Sequence, residues 1–424
     1  MPVEPTPKAL LAAASITALL IASYAGVYPW LTGSLAVLLS GILAWSLGYA
    51  YTLSRAALGL MFERSVEPET AYEGAPVKVT IRVHNASRLR AEAVVTDAIP
   101  ARVRVEESPV FRVSLLPGAS AAYTYTVKPL PGLHIFSELT VDVVDPLGFF
   151  VYRRTVRTPA SIKTVPVASL SEPCAPSPVH GFLEAYRRLV HGVGLEFYEV
   201  REYQPGDDPR RIVWTATARV GRLMVREDLS ELQPRLHMLV DLSRYSWAGE
   251  PGDTPGDHIA RLAASLARSI ASLGGVFGYT LLRGDVWLTV QPGRAGERLH
   301  QLLTQLSSLD PIETLTHSGW GLCGAVKEAR TLLPRGMLLL VLTGPHALVQ
   351  PRLEEMASCL AGLNAVVVVV LPVGDAEASR LARTAAVRLA GRASSVLGGA
   401  GARLYLAPGG QFVREAWRLI ASPA

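Results

Sequence analysis

Between Ala9 and Ser54 the chain has no Asp, Glu, Lys or Arg. Backbone in hydrocarbon finds no water for its N–H and C=O groups, so such a run must become helix, and about 20 apolar residues cross a bilayer. The run therefore holds two spans, predicted over 9–24 and 31–53. "AGVYPWLTG" separates them: Gly26, Pro29 and Gly33 suit a turn, and Tyr28 and Trp30 suit the membrane interface. A cleaved signal peptide, with Lys8 as its basic flank and "SYA" before Gly26 as the cut, is the alternative for the first span, and the second would still anchor the chain. Lys8 before the first span and Arg55 and Arg64 after the second, with an uncharged turn between, predict both termini and the soluble domains in the cytoplasm.

Beyond this anchor, assigned to 1–65, there is ample material for cores. Hydrophobic residues are 49% and charged ones 18%, which excludes disorder and fibrous classes. The net charge of +5 is spread over 41 basic and 36 acidic residues without a single-sign block, so charge selects no partner. Cys174, Cys323 and Cys359 are odd in number, far apart and without a C-x-x-C pair. Neither a disulfide framework nor a zinc ribbon is expected, and a reducing compartment fits.

From 66 to 168 the pattern has period two. "VKVTIRVHN" alternates Val77, Val79, Ile81 and Val83 with Lys78, Thr80, Arg82 and His84. Val103 and Val105, then Tyr123, Tyr125 and Val127, then Leu139, Val141 and Val143 repeat the rhythm between "LLPGAS", "PLPG" and "DPLG" turns. Short strands with this punctuation predict an antiparallel immunoglobulin-like β-sandwich. Asp97, Asp142 and Asp145 fall at strand ends or turns and are expected to cap backbone amides.

A proline-rich linker, 169–193, precedes a charged segment, 194–228. Gly206 follows Pro205 in a turn, Asp208 can cap a helix opening at Pro209, and Gly221 can close it, which predicts a helix over 209–220 and a strand after it. Seven acids and six arginines lie between Glu196 and Asp228. That near balance argues against nucleic acid, which needs an unopposed basic surface. An acid pair such as Asp207 and Asp208, or Glu196, is the hydrolase alternative, yet adjacent carboxylates rarely aim at one atom. The favoured reading is a network of arginine forks and carboxylates, inside the protein, that fixes two domains relative to each other.

Gly194, Glu196, Phe197, Arg201, Glu202, Tyr203, Gly206, Asp207, Asp208, Arg210, Ile212, Trp214, Ala218, Arg219 and Gly221 stand in the order G-x-E-F, R-E-Y-x-x-G-D-D-x-R-x-I-x-W, A-R-x-G. This resembles the signature of the domain-of-unknown-function 58 family. Val213 and Thr215 stand where that family usually has an acid and a lysine. The resemblance also covers the paired spans, the "DPLGFF" turn at 145–150 and the domain that follows. It implies a protein partner, a MoxR-type AAA+ ATPase, with this chain as a membrane-anchored, non-enzymatic adaptor, since no phosphate-binding loop is present.

The last domain, 229–424, is predicted as a doubly wound α/β sheet. "LHMLVDLSRYS" is an apolar strand ending at Asp241, and "VFGYTLL", "DVWLTVQ", "MLLLVLT", "AVVVVVLPV" and "ARLYLA" are further strands. Helices are predicted at 258–273 and around 295–309, 320–333, 350–363, 375–391 and 411–421. The region resembles a von Willebrand factor A domain, whose metal site uses D-x-S-x-S after the first strand, a threonine and a second aspartate. Asp241 and Ser243 match; Tyr245 replaces the second serine, "SGWG" offers no threonine, and Gly344 stands where the aspartate would be. Magnesium wants an oxygen octahedron at about 2.0–2.1 Å, so an empty site is expected, with Ser246, Thr316 and Ser318 as the only substitutes. A filled site would instead mark an outward-facing adhesion or receptor module. "GWGLCG" imitates a dinucleotide loop without a strand before it, and "RGD" at 283–285 is predicted as a hairpin turn.

Overall fold

The computed structural model of the 424-residue chain describes residues 3–167, 196–203, 209–229, 235–316, 319–334 and 337–408. The chain divides into two compact units, Met1–Val165 and Pro166–Ala424. The proline-rich linker lies outside the described residues.

In the first unit β1 (Glu4–Pro5) leads to α1 (Pro7–Tyr24), and a turn at Gly26, whose positive φ excludes a Cβ without strain, leads to α2 (Pro29–Leu58). Both helices are long and apolar enough to cross a membrane. Nine strands follow: β2 (Leu60–Glu67), β3 (Thr70–Tyr72), β4 (Val77–Asn85), β5 (Ala91–Asp97), β6 (Val103–Val105), β7 (Val110–Leu115), β8 (Ser120–Pro129), β9 (Gly132–Val144) and β10 (Phe150–Val165). They form two sheets, β2-β4-β8-β6 and β1-β10-β9-β5-β7, with β3 added to β10. Val77, Val79, Ile81 and Val83 are buried while Lys78, Arg82 and His84 face water, as period two requires. Tyr125, Phe136, Leu139 and Val141 fill a core shared by both sheets.

The structure corrects the sequence reading here in several places. The first sandwich strand starts at Leu60, not Val66, and the N-terminal Glu4–Pro5 supplies an edge strand. The β3–β10 pair is parallel, so the sandwich is not wholly antiparallel. The second helix does not end at Leu53: it runs to Leu58, and Ser46, Ala50, Ser54 and Ala57, spaced by four and three, are buried on one face.

Asp97 does not cap a turn. It is buried in the sandwich, paired with Arg64, and accepts the Tyr125 hydroxyl at 2.6 Å. Arg64 also donates to the Thr158 carbonyl at 2.6 Å, which a β-bulge between Arg157 and Ala160 frees from the ladder, and its guanidinium lies 5.4 Å from the Phe136 ring centroid. Burial pushes the Asp97 carboxyl up and the Arg64 guanidinium down, each toward its neutral form, against their mutual attraction. Desolvation thus offsets much of what the pair gains, but a lone survivor would be a buried uncompensated charge. Asp97→Ala is expected to cost about 3–5 kcal/mol, read as a lower unfolding midpoint of the purified protein in detergent; an unchanged midpoint would mean Arg64 reaches water.

In the second unit β11 (Glu196–Glu202) and β12 (Met224–Leu229) form an antiparallel hairpin. The predicted helix over 209–220 is split into a 3-10 turn, Pro209–Arg211, and a helix, Trp214–Val220. Ile212 and Val213 interrupt it because they pair with the hairpin: Ile212 bridges Val225, and the Val213 N–H donates to the Met224 carbonyl at 2.8 Å. β-Branched residues favour that extended state. Gly221 closes the helix in the left-handed region at φ 73°, as its position predicts.

The remaining strands, β13 (Arg235–Asp241), β14 (Val276–Arg283), β15 (Val286–Arg294), β16 (Leu338–Thr343), β17 (Ala365–Leu371) and β18 (Ala402–Pro408), form one sheet in the order β15-β14-β13-β16-β17-β18. All pairs are parallel except β14 with β15, the hairpin that "RGD" closes through Gly284 at φ 78°. Helices Pro255–Ser272 and Ala295–Ser307 cover one face, and Leu322–Leu332, Arg352–Leu360 and Glu377–Gly399 the other. Strands buried on both sides read as unbroken apolar runs, which is why β16 and β17 are so plain in the sequence. The helix predicted at 411–421 lies outside the described residues. Cys323 and Cys359, expected to be free thiols, are joined as a disulfide with Cα atoms 5.4 Å apart, because adjacent helices bring together residues 36 positions apart in sequence.

Candidate functional site

The first half of the charged segment yields surface groups. Glu202 and Arg222 form an ion pair at 3.4 Å with both side chains more than half exposed, so it is worth only about 0.2–1 kcal/mol. Arg210 and Arg219 face solvent, Tyr203 is half-buried, and Trp214 is 68% exposed. Gly206, Asp207 and Asp208 lie outside the described residues, and Glu196 and Arg201 are described only as backbone of β11. Among the described members, Glu202, Arg210, Trp214 and Arg219 lie at the surface of this segment. Helix Trp214–Val220 turns Trp214 and Val220 outward, with Leu223 exposed just after it.

Asp241 is where side chains from distant segments converge. It ends β13, the strand from which the sheet extends in both directions, and ligands of open α/β sheets bind beyond such carboxyl ends. Its side chain is fully buried. Oδ2 accepts three hydrogen bonds: from Thr343 Oγ1 at 2.7 Å, His346 Nε2 at 2.9 Å and Trp320 Nε1 at 3.0 Å. Oδ1 accepts the Ser243 N–H at 3.1 Å, and Ser246 Oγ donates to the Asp241 carbonyl at 2.9 Å. Burial pushes the carboxyl up, but attraction to His346 and the hydrogen bonds from His346, Thr343 and Ser243 outweigh it and hold the group well below the usual carboxylate range.

An aromatic rim covers these contacts. The Tyr245 ring lies 5.6 Å from His346, and Trp320 meets His346 edge-on at 6.0 Å. Arg352 stacks 3.7 Å above the Tyr245 ring, with Arg244 at 5.8 Å from it. Tyr245, which breaks the metal motif, is thus the platform for two guanidinium groups.

The donors around Asp241 do not suit magnesium. Three N–H or O–H groups already occupy Oδ2, one of them from the His346 imidazole. Ser243 Oγ is buried without a hydrogen-bond partner, but Thr316 is exposed and gives its hydroxyl to the Glu313 carbonyl. Ser318 lies outside the described residues, and no group of three or more His, Cys, Asp or Glu gathers for a metal among those described.

Sequence reasoning reached Asp241 and Ser243 but missed Trp320, Thr343 and His346. All three stand in "SGWG" and "LTGPH", where they act as donors to a carboxylate and not as the ligands of a metal motif. The "GWGLCG" glycines have another purpose: a Cβ at Gly321 or Gly324 would meet the Trp287 ring at 2.8 or 2.4 Å. They let Trp287 pack and donate to Glu328 at 2.6 Å.

A second carboxylate braces the same end of the sheet. Asp253 accepts His258 Nε2 at 2.9 Å and the Val373 N–H at 2.7 Å on one oxygen, and the Gly374 N–H at 2.8 Å and Ser379 Oγ at 2.6 Å on the other. Arg261 donates to His258 Nδ1 at 3.2 Å, which fixes a neutral imidazole with its proton on Nε2. Burial first, and Arg261 second, push His258 down. Burial raises Asp253, but the hydrogen bonds from Ser379, His258, Val373 and Gly374 bring it down to about 2.

Two outcomes follow from these carboxylates. Asp241→Asn removes the charge and leaves one carbonyl oxygen for the four donors that two oxygens serve now, and a loss of about 3–5 kcal/mol is expected in thermal unfolding. Magnesium should leave the wild-type melting temperature unmoved, whereas a bound ion at a hundred times its Kd would add about 2.7 kcal/mol. For Asp253 the folded value lies below the unfolded value of about 3.9, so its contribution is complete above that pH and disappears as pH falls through about 2. Asp253→Asn should flatten the acid limb of an unfolding-against-pH curve over that window and leave the neutral limb parallel to wild type.

Uncharacterized proteins of Mycobacterium bovis and Mycobacterium tuberculosis are 31% identical over 122 residues, covering 28% of this chain and 38% of their own length. The chain thus matches well under half the length of these relatives. The CARDB domain of a Pyrococcus furiosus protein, solved in complex with di-metal ions, is 19% identical over 26% of this chain and 94% of its own, with a TM-score of 0.19. A FixG-related protein from Vibrio parahaemolyticus is 9% identical over 24% of this chain and 94% of its own, with a TM-score of 0.16. Residues 199–396, from within β11 to the last full turns of helix Glu377–Gly399, match the model of the family described as Protein of unknown function DUF58.

Proposed function

We propose that this protein is a membrane-anchored, non-enzymatic adaptor whose soluble units face the cytoplasm and which works with a MoxR-type AAA+ ATPase in assembling or activating other complexes. The observation that carries the reading is the outward Trp214 on the family-matched segment, on which Arg219, Val220 and Leu223 are also exposed. Trp and Arg dominate binding energy at protein interfaces, and a large apolar ring is costly to leave in water. The von Willebrand factor A-like reading of the second unit is supported by its six-stranded, mostly parallel sheet and by an aspartate at the end of β13. Its rim of Tyr245, Trp320 and Arg352 has the residue types of a protein-binding surface.

Orientation rests on fewer charges than the sequence suggests, since Arg64 is neutralised by Asp97 inside the sandwich. Lys8 and Arg55 remain as the basic flanks on one side. The Cys323–Cys359 disulfide favours the second reading, an outward-facing receptor module, because disulfides persist in oxidising compartments. Protease protection in sealed vesicles separates the two.

Purification of a tagged chain from native membranes should recover an AAA+ ATPase. Trp214→Ala should lower that recovery about thirtyfold, the equivalent of a 2 kcal/mol hot spot, with the unfolding midpoint unchanged. Recovery of no ATPase, or equal recovery by the variant, would remove the support for the adaptor reading.

A further inference from the structure

The strand β9, the turn after it and the start of β10 read "VVDPLGFFVY" from Val143 to Tyr152, ten residues with a single charge, Asp145. That charge is withdrawn from the surface. Asp145 is buried, accepts the Leu147 and Phe150 N–H groups at 3.0 and 2.6 Å, and is hydrogen-bonded by Ser46 of α2. The turn's other side is held by the residue that opens α1: Thr6 donates its hydroxyl to the Gly148 carbonyl at 2.7 Å and its N–H to the Phe149 carbonyl at 2.8 Å. The loop is therefore fixed at one height along the helical hairpin.

That height follows from helix geometry. α1 has 18 residues, which rise about 27 Å at 1.5 Å each. Starting from Pro29, α2 regains the same level about 17 or 18 residues on, at Ser46. Thr6, which precedes Pro7, and Ser46 thus lie nearly level, and the loop is bonded to both. Lys8 is the last charge before the uncharged run, and its Nζ lies beside Gly148, 3.8 Å from where a Cβ there would stand. Trp45 and Tyr49 stack at 5.5 Å next to Ser46, the aromatic types that settle at a membrane interface. Beyond this level α2 turns its Ala50, Ser54 and Ala57 onto the sandwich, so only its first part is left for lipid.

The tip that remains is apolar and uncovered. Val144, Pro146 and Leu147 are exposed, Leu147 by 43%, and the nearest charges along β9 and β10, Asp142 and Arg153, pair with each other at 2.7 Å. We propose that the Val144–Phe149 turn seats in the headgroup–acyl boundary of the bilayer, so that the sandwich rests on the lipid surface. The occupant is lipid because the same turn is bolted to the two residues at which the hairpin enters hydrocarbon. This rests on reading α1 and α2 as membrane spans.

The test labels single cysteines with a nitroxide in proteoliposomes, in a background with Cys174, Cys323 and Cys359 replaced by serine. Leu147→Cys reports the loop, Leu38→Cys the middle of α2, and Tyr72→Cys the far end of β10, where β3 pairs with Val165. Collisions with a water-soluble nickel complex should be several-fold rarer at Leu147 than at Tyr72, and collisions with oxygen more frequent. A Leu147 label as open to nickel as Tyr72, with Leu38 still in lipid, would overturn the seating and leave the anchor standing. A Leu38 label open to nickel would overturn the anchor, and the seating with it.

Discussion

A carboxylate taken out of water costs several kcal/mol unless donors surround it, and four aspartates impose that condition on both units of this protein. Asp97 draws Arg64 and Tyr125 into the sandwich core. Asp145 takes a hydroxyl from α2, so a long apolar helix and a β-turn share one buried charge. Asp241 gathers Ser243, Trp320, Thr343 and His346 from three loops, and Asp253 binds the loop before helix Pro255–Ser272 to the loop after β17. Asp97 and Asp241 end their strands and Asp145 follows one, where the ladder stops and backbone amides need acceptors, while Asp253, partly buried, stands just before helix Pro255–Ser272. The apolar cores would tolerate small shifts between elements; the donors around a buried carboxylate would not, because a bond stretched past about 3.5 Å is lost.

The plan of the chain was visible in its periodicities. An uncharged run, alternating valines and then unbroken apolar runs with helices between them correspond to the hairpin, the two-sheet unit and the parallel sheet. Strands such as β5 were hidden because, of their inward positions Ala91, Ala93, Val95 and Asp97, only Val95 is a large apolar residue, so period two carried little hydrophobic signal. Strand β10 was hidden by Arg153, Arg157 and Lys163 on its outward side and by Arg154 on the other, where it donates to the Ala57 and Leu58 carbonyls. The site was half legible for a related reason. Asp241 stood out as the polar end of an apolar strand, but its partners come from residues 79 to 105 positions away. Nothing local marks a tryptophan or histidine as a donor to a distant carboxylate. Cys323 and Cys359 were missed likewise, since only the packing of two helices makes them neighbours.

The disulfide also bears on the rim. Cys323 belongs to the helix that begins two residues after Trp320, and Cys359 to the helix whose first residue is Arg352. Trp320 and Arg352 are the two rim residues that approach Asp241 and Tyr245 from that side, 5.8 Å apart from ring centroid to guanidinium carbon. A covalent link between their helices limits how far the rim can spread without breaking the Trp320 bond to Asp241. The aromatic cover is thus held twice, by donors at its base and by sulfur along its helices. With Oδ2 saturated and the helices tied, the carboxylate itself is withdrawn from any partner. The layer outside it is Tyr245 with its two arginines, so this end of the sheet presents guanidinium and ring while the carboxylate lies beneath them.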